Sequence, residues 1–292
     1  MTAADFVATL VAPAGSIVSE AQIAAFSDHI AHRGGIVAEA RSLDHGRAVD
    51  IFFAGGSVGD MSAALLPFDV LIQFVATRRK KILLADMEST IIEQEMLDEL
   101  AGEIGLGAAT ADITRRAMNG ELDFAASMNE RVAQLKGQPQ SLIDHVAKRM
   151  TFSPGAEALV AAMKQAGAKV WLVSGGFGCF VKIIADRLGF DRFFCNELTV
   201  ENGILTGLAA QPVLDKNSKR DLLEKACADY GCTLADTVTV GVGANDVPML
   251  QACAAGGGLG VAYYAKPKVR ELIHSQINHS DLSALIYAQG LK

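Results

Sequence analysis

The sequence is poor in paired cysteines, in net positive charge and in long apolar segments. Its five cysteines are irregularly spaced and form no C-x-x-C pair, which argues against a zinc site or a disulfide framework and predicts free thiols in a reducing compartment. The net charge is −7, so electrostatics gives no reason to expect nucleic acid or an anionic membrane as a partner. A small phosphate ligand stays open, because a few local donors suffice to bind one.

The sequence also lacks the pattern of a membrane protein. Its longest apolar stretch, residues 65–76, is too short to cross a bilayer and contains Asp69. No basic segment precedes the first apolar residues, so a signal peptide is not expected. Together with the unpaired cysteines, these features predict a cytoplasmic protein.

Residues 1–77 have a pattern of their own. Four strand-like segments occur, at 6–12, 35–43, 48–54 and 69–76. One helix-like segment follows the first strand and begins at Ser19 and Gln22, which form a capping-box pattern. A second helix-like segment lies at 57–66. The order β-α-β-β-α-β predicts a small ferredoxin-like module. The basic run at 78–81 marks its end and is expected to be a solvated linker edge.

Residues 78–292 form the second predicted domain. Buried apolar strands alternate with helices here, which is typical of a doubly wound parallel sheet. Residues 91–150 contain helical patterns only and are expected to form a helical cap inserted after the first strand. Asn202 and Gly203 lie between two strand-like runs and predict a hairpin. The predicted fold class is therefore α/β, with a small α+β domain in front.

Polar and charged side chains follow the ends of three predicted strands, the place where such sheets bind ligands. They are Asp86 and Glu88 after the first strand, the turn of Ser174, Gly175 and Gly176 after the second, Asn245 and Asp246 after the third, and Lys219 between the last two. Each of these features alone is weak evidence. A carboxylate nucleophile, a second acid, an anion-binding turn and a lysine are together the parts of phosphoryl transfer through an aspartyl-phosphate.

These motifs resemble those of the haloacid-dehalogenase superfamily and, within it, of the phosphoserine phosphatases. The matching segments are ADMEST at 85–90, SGGF at 174–177, LDKNSK at 214–219 and GVGAND at 241–246. The resemblance covers about residues 78–292, and the N-terminal module resembles the ACT-like domain that often precedes them. It implies that Asp86 is the nucleophile and Glu88 the general acid and base, while Ser174 and Lys219 hold the phosphoryl group.

The resemblance also implies a binding pocket for O-phospho-L-serine and thereby a role in the last step of L-serine biosynthesis. Glu95 would meet the substrate amine and Arg131 its carboxylate, which suits a zwitterionic head group. The other substrate contacts implied are Met118 and Phe124 in the cap, and Gly175, Gly176 and Asn245 around the phosphate. A magnesium cofactor and, from the ACT-like module, a homodimer are implied as well.

Two positions depart from the family pattern. Val242 stands where the family has an aspartate that ligates Mg²⁺, so the remaining metal candidates are Asp86, Glu88 and Asp246, and weakened Mg²⁺ binding is expected. Glu88 replaces the usual aspartate and adds a methylene group. Three hypotheses stay open: a working phosphatase with impaired activity, a nearly inactive homologue that binds serine or phosphoserine as a regulator, and an artificial change at Val242.

Overall fold

The structure is a computed structural model in which residues 4–56, 67–214 and 216–291 are described, apart from the side chains of Phe124 and Lys216. The N-terminal elements are β1 (Phe6–Val11), α1 (Glu20–His32), β2 (Gly35–Leu43), β3 (Ala48–Gly55) and β4 (Asp69–Phe74). The four strands form an antiparallel sheet in the order β2-β3-β1-β4, which is the order expected of a ferredoxin-like module. The helix predicted at 57–66 lies outside the described residues.

The beginning of α1 shows how the sequence determines local structure in this module. The Ser19 hydroxyl accepts a hydrogen bond from the Gln22 amide, and the Gln22 side chain accepts one from the Ser19 amide, which confirms the predicted capping box. Phe26 and Ile30, one turn apart, are buried against the sheet. Burial of two such side chains stabilises the module by roughly 1.5–3 kcal/mol each.

The larger part of the chain alternates strands and helices. In chain order its elements are β5 (Ile82–Ala85), α2 (Met96–Glu103), α3 (Gly107–Met118), α4 (Phe124–Ala133), α5 (Ser141–Ala147), α6 (Ala156–Gln165), β6 (Lys169–Phe177), α7 (Gly178–Leu188), β7 (Arg192–Asn196), β8 (Leu198–Glu201), β9 (Ile204–Ala209), α8 (Lys216–Tyr230), β10 (Thr237–Gly241), α9 (Val247–Ala255), β11 (Leu259–Tyr263), α10 (Pro267–Leu272), β12 (Ser275–Ile277) and α11 (Ala284–Ala288).

Six of these strands form one parallel sheet in the order β12-β11-β10-β5-β6-β7. The central strand β5 is buried along its whole length, with Leu83 and Ala85 in the apolar core on one face and Ile82 and Leu84 in the core on the other. This arrangement confirms the predicted sheet with both faces covered. It also places the carboxyl ends of β5, β6 and β10 at one edge.

Helices α2–α5 lie between β5 and α6, as predicted for the cap. The amide of Ala244, after β10, donates a hydrogen bond of 3.0 Å to the carbonyl of Met118 at the end of α3. The cap therefore contacts the loop that follows β10. The predicted hairpin, β8–β9, turns at Asn202 and Gly203 with φ of 51° and 77°. It also contacts the cap, since the Gly137 amide donates a hydrogen bond of 2.9 Å to the carbonyl of Leu205 in β9.

The expectation of a solvated linker at 78–81 is wrong for two of its residues. Arg78 donates hydrogen bonds to the Asp50 carboxylate (2.7 Å) and to the carbonyls of Tyr287 and Ala288 at the end of α11, where a helix dipole favours a cation. Lys80 is 4% exposed and donates to a backbone carbonyl, and burial lowers its pKa to about 8. A division of the chain at residue 77 stays a prediction.

The N-terminal sheet is joined to the larger part by further buried polar contacts. Asp69, in β4, accepts hydrogen bonds from the backbone amides of Asn278, His279 and Ser280 and from the Ser280 hydroxyl, at 2.6–3.3 Å. Among the residues described, none of the helices has the length and apolar character needed to cross a membrane.

Candidate active site

Asp86 lies directly after β5, at the carboxyl edge of the sheet. Its amide donates to the carbonyl of Val240 in β10 (3.0 Å), which continues the pairing of the two strands. A wide turn at Met87–Ile91 follows, in which Ser89 adopts the left-handed conformation with φ of 53°. Such a backbone conformation costs about 1–3 kcal/mol in a residue other than glycine. The turn brings Glu88 back toward the same edge, where its Oε1 accepts a hydrogen bond from the Met96 amide (3.0 Å).

A buried triad of charges lies beside this turn. Lys219, from α8, places its Nζ 2.6 Å from Oδ1 of Asp86 and 2.5 Å from Oδ1 of Asp246. The other oxygen of Asp246 accepts hydrogen bonds from the amides of Val242 and Gly243 (3.0 and 2.9 Å). All three charged residues are at most 6% exposed. Asp246 therefore holds both the lysine and the loop that follows β10.

Burial and mutual attraction act in opposite directions on the pKa values of Asp86 and Lys219. Burial, and then the nearby Asp246, raises the pKa of Asp86 to about 7, although Lys219 acts to lower it. For Lys219, burial lowers the pKa, but the attraction of Asp246 and Asp86 outweighs it, so that the net pKa is raised. The ammonium stays charged, and one proton taken up by Asp86 would neutralise the triad.

Ser174, Gly175 and Gly176, predicted as a turn after the second strand, lie instead within the last residues of β6, where its pairing with β7 is interrupted between Val173 and Phe177. The Ser174 hydroxyl accepts a hydrogen bond from the Gly176 amide (2.9 Å), and Asn196 donates to the Gly175 carbonyl (2.7 Å). A Cβ atom on Gly176 would lie 2.8 Å from Oε2 of Glu88. The glycine therefore makes room for the longer acid at residue 88.

A small cavity of about 50 Å³ lies between this sheet edge and the cap. It is lined by Asp86, Glu88, Glu95, Leu97, Thr114, Ala117, Met118, Arg131, Gly175, Gly176 and Asn245. Eight of the residues predicted from the sequence are thus brought together. Ser174, Lys219 and Asp246 are buried beside them without lining the cavity, and the Phe124 side chain lies outside the described residues.

Glu95 and Arg131 bring an acid and a cation to this cavity. The Ser89 hydroxyl donates to Glu95 (2.6 Å), and burial, followed by the charge of Glu88, raises the pKa of Glu95 to about 8. Burial likewise raises the pKa of Glu88 to about 7. Arg131 is 8% exposed and donates from Nη1 to the Thr114 hydroxyl (2.9 Å).

Three lining residues, Leu97, Thr114 and Ala117, were not predicted from the sequence. Thr114, Ala117 and Met118 are spaced i, i+3 and i+4 along α3, so they share one face of that helix. Because Met118 was predicted to line the site, the helical spacing would have predicted Thr114 and Ala117 as well. Leu97 follows the first residue of α2 and has no comparable signal.

Val242 contributes an apolar side chain where β10 ends. It is 3% exposed, and only its backbone makes polar contacts, to Asp246 and to the Lys266 amide. Oδ1 of Asp86 and both oxygens of Asp246 are already bonded within the protein. Within the described part of the chain, no group of three or more His, Cys, Asp or Glu side chains could hold a metal ion. These side chains do not fit a tightly held Mg²⁺, which prefers several oxygen ligands.

Comparison with known proteins agrees with this geometry. Residues 83–251 match the family model of the haloacid dehalogenase-like hydrolases, and the chain belongs to that family. Within the family, its curated relatives include the phosphoserine phosphatase of Streptococcus thermophilus, which is 42% identical over 207 residues, 71% of this chain and 94% of that protein.

Two further relatives show how far the similarity extends. A phosphoserine phosphatase of Mycobacterium tuberculosis is 36% identical over 244 residues; these cover 81% of this chain but only 59% of that protein, so the chain spans less than two thirds of it. The crystal structure of a probable phosphoserine phosphatase from Vibrio cholerae superposes with a TM-score of 0.73 at 30% identity, covering 98% of this chain and 88% of that one. The similarity therefore includes the N-terminal sheet.

Proposed function

We propose that this chain hydrolyses O-phospho-L-serine to L-serine and phosphate. The observation that carries the proposal is a nucleophile-type aspartate, Asp86, facing a cavity that holds one half-buried acid, Glu95, and one buried cation, Arg131. A serine head group presents one ammonium and one carboxylate, and a site built for both charges rejects ligands that lack either. Similarity to named phosphoserine phosphatases supports the same substrate.

The reaction then proceeds in two steps. Asp86 attacks phosphorus to form an aspartyl-phosphate, while Glu88 transfers its proton to the departing serine oxygen. Glu88 next removes a proton from water, which attacks the aspartyl-phosphate and releases phosphate with Asp86 restored. A pKa of about 7 suits a group that acts first as acid and then as base. Lys219 offsets the charge of Asp86 and of the incoming phosphate, and Ser174, Gly175 and Asn245 flank the phosphoryl group.

The direct test is phosphate release from O-phospho-L-serine by the chain and by Asp86→Asn. The substitution removes the nucleophile and should abolish turnover. Asp144→Asn, an exposed aspartate on α5, makes the same chemical change away from the cavity and should turn over like the parent. Full turnover by Asp86→Asn would disprove the assignment of the nucleophile.

We propose further that the enzyme uses Mg²⁺ but binds it weakly, because Val242 offers no oxygen. Loss of a direct ligand should weaken Mg²⁺ binding by at least about 10–100-fold, because losing a residue that only hydrogen-bonds to a ligand already has an effect of that size. Calorimetric titration of Mg²⁺ into the parent and into Val242→Asp measures this without activity. Tighter binding by Val242→Asp is expected, and equal affinities would show that residue 242 is not a ligand position. Val242→Leu, which changes the side-chain volume without adding an oxygen, serves as the control.

Val242 also favours a second candidate function, a nearly inactive homologue that binds serine or phosphoserine as a regulatory protein. Phosphoserine binding by the parent without turnover, together with turnover by Val242→Asp, would support it. The remaining parts of the proposal are a role in L-serine biosynthesis, a cytoplasmic location, and a homodimer formed through an ACT-like N-terminal module. Light scattering of the full chain tests the dimer.

A further inference from the structure

The guanidinium of Arg131 is held in place by two neighbours. Its Nη1 donates to the Thr114 hydroxyl (2.9 Å), and its Nε donates to the Ser127 carbonyl one turn earlier in α4 (3.3 Å). These contacts use two of the five N–H donors of an arginine, so two-point pairing with a carboxylate remains open. The orientation of the group is therefore fixed before any ligand arrives.

The Thr114 hydroxyl has a second partner that determines its direction. It donates to Oδ1 of Asp98 at 2.6 Å. A hydroxyl has one hydrogen, and an ionised carboxylate can only accept, so the hydrogen of Thr114 points to Asp98 and its lone pairs are available to Arg131. Arg131 thus donates to Thr114, and Thr114 donates to Asp98. This series of hydrogen bonds links three helices, α4, α3 and α2.

Burial gives this chain of hydrogen bonds its strength. Thr114 is 4% and Arg131 8% exposed, so little water competes for either contact. Thr114 itself lines the cavity together with Arg131 and Glu95. Its hydroxyl is committed to Asp98 and Arg131, which leaves it no hydrogen to donate to a substrate.

We propose that Thr114 and Asp98 are positioning residues that determine specificity for the substrate carboxylate. They hold Arg131 so that its remaining donors meet that carboxylate while Glu95 takes the amine. This inference rests on the proposed function. It predicts that loss of the Thr114 hydroxyl weakens recognition of the carboxylate alone and leaves the phosphoryl chemistry at Asp86 intact.

Two substrates separate this role from simple packing of the cap. O-Phosphoethanolamine keeps the phosphate and the amine of phosphoserine but has no carboxylate. Thr114→Val removes the hydroxyl at nearly constant shape and should raise KM for phosphoserine about tenfold, the scale of one hydrogen bond to a charged group. Its kcat, and both constants for phosphoethanolamine, should stay close to the parent values. Thr114→Ser should restore the parent KM.

Asp98→Ala should act in the same direction as Thr114→Val, since it releases the hydroxyl that Asp98 orients. Arg131→Met removes the guanidinium itself and should show the largest effect: this variant should no longer prefer phosphoserine to phosphoethanolamine. Equal losses for the two substrates in Thr114→Val, or no rescue by Thr114→Ser, would overturn the positioning role. Each variant is compared with the parent at equal folded fraction.

Binding measurements in an Asp86→Asn background distinguish the two proposals. If the parent turns over neither substrate, the proposed activity fails, but calorimetry still yields the ratio of affinities for phosphoserine and phosphoethanolamine. A ratio lowered about tenfold by Thr114→Val supports the positioning role without any turnover. An unchanged ratio overturns it, even if the enzyme proves to be active.

Discussion

Replacement of Lys219 by methionine tests the central electrostatic feature of the site. The substitution leaves Asp86 and Asp246 buried without their shared cation. Removing one partner of a buried ion pair typically costs about 3–5 kcal/mol, because the remaining charge is unpaired in a poorly solvated place. In a chain of this size the melting temperature should fall by about 10 °C.

The loss should depend on pH, with a sign that follows from Asp86. Its pKa is raised from 3.8 to about 7 in the folded protein, so the folded state binds more protons than the unfolded state and stability falls as the pH rises through this range. Lys219 acts against that rise. Without it the folded pKa moves higher still, and Lys219→Met should lose more stability at pH 8 than at pH 5.

The assay is thermal and urea unfolding of parent and variant at both pH values. Lys225→Met is the matched control, because Lys225 lies on the same helix in an exposed pair with Asp229, and such pairs contribute little. A loss below about 1 kcal/mol in Lys219→Met, or one that is equal at the two pH values, would refute the description of a buried triad held by one cation.

Three further predictions follow from particular contacts. A pKa of about 7 for both Asp86 and Glu88 predicts a bell-shaped kcat/KM for phosphoserine that rises as Asp86 ionises and falls as Glu88 loses its proton; Glu88→Gln should remove the alkaline fall. Gly176→Ala should lower kcat by on the order of 10²-fold with little change in melting temperature, because its Cβ displaces Glu88. Asp69→Ala should lower stability by about 3 kcal/mol in urea unfolding while kcat at 25 °C is retained, since it leaves the buried amide and hydroxyl of Ser280 without their acceptor and Asp69 does not line the cavity.

The sheet and its polar edge were predictable because they depend on local pattern. Strand β5 is apolar throughout and ends at Asp86, and strand β10 ends before the loop of Asp246. Parallel strands bring such ends together whatever the details of packing. The hairpin turn at Asn202 and Gly203 was predictable for a similar reason, since both residues adopt positive φ readily.

Other features depend on contacts between distant parts of the chain. Arg78 and Lys80 belong to a basic run whose composition is that of a solvated segment. Nevertheless Arg78 donates hydrogen bonds to the end of α11, and Lys80 is buried. Asp69 interrupts an apolar stretch, and nothing nearby in sequence shows that it binds a loop more than 200 residues later. The partner of Arg131 is Thr114, 17 residues earlier on another helix. Local pattern contains no information about such pairs.

The charge balance of the site offers a physical reason for valine at residue 242. With an aspartate there, a metal-free site would hold three neighbouring carboxylates against the single cation of Lys219. With valine, only Asp86 and Asp246 remain to be balanced. Buried like charges destabilise the folded state, so Val242→Asp should melt below the parent without magnesium and recover more than the parent when magnesium is added. Equal melting temperatures of the two proteins without magnesium would contradict this reason.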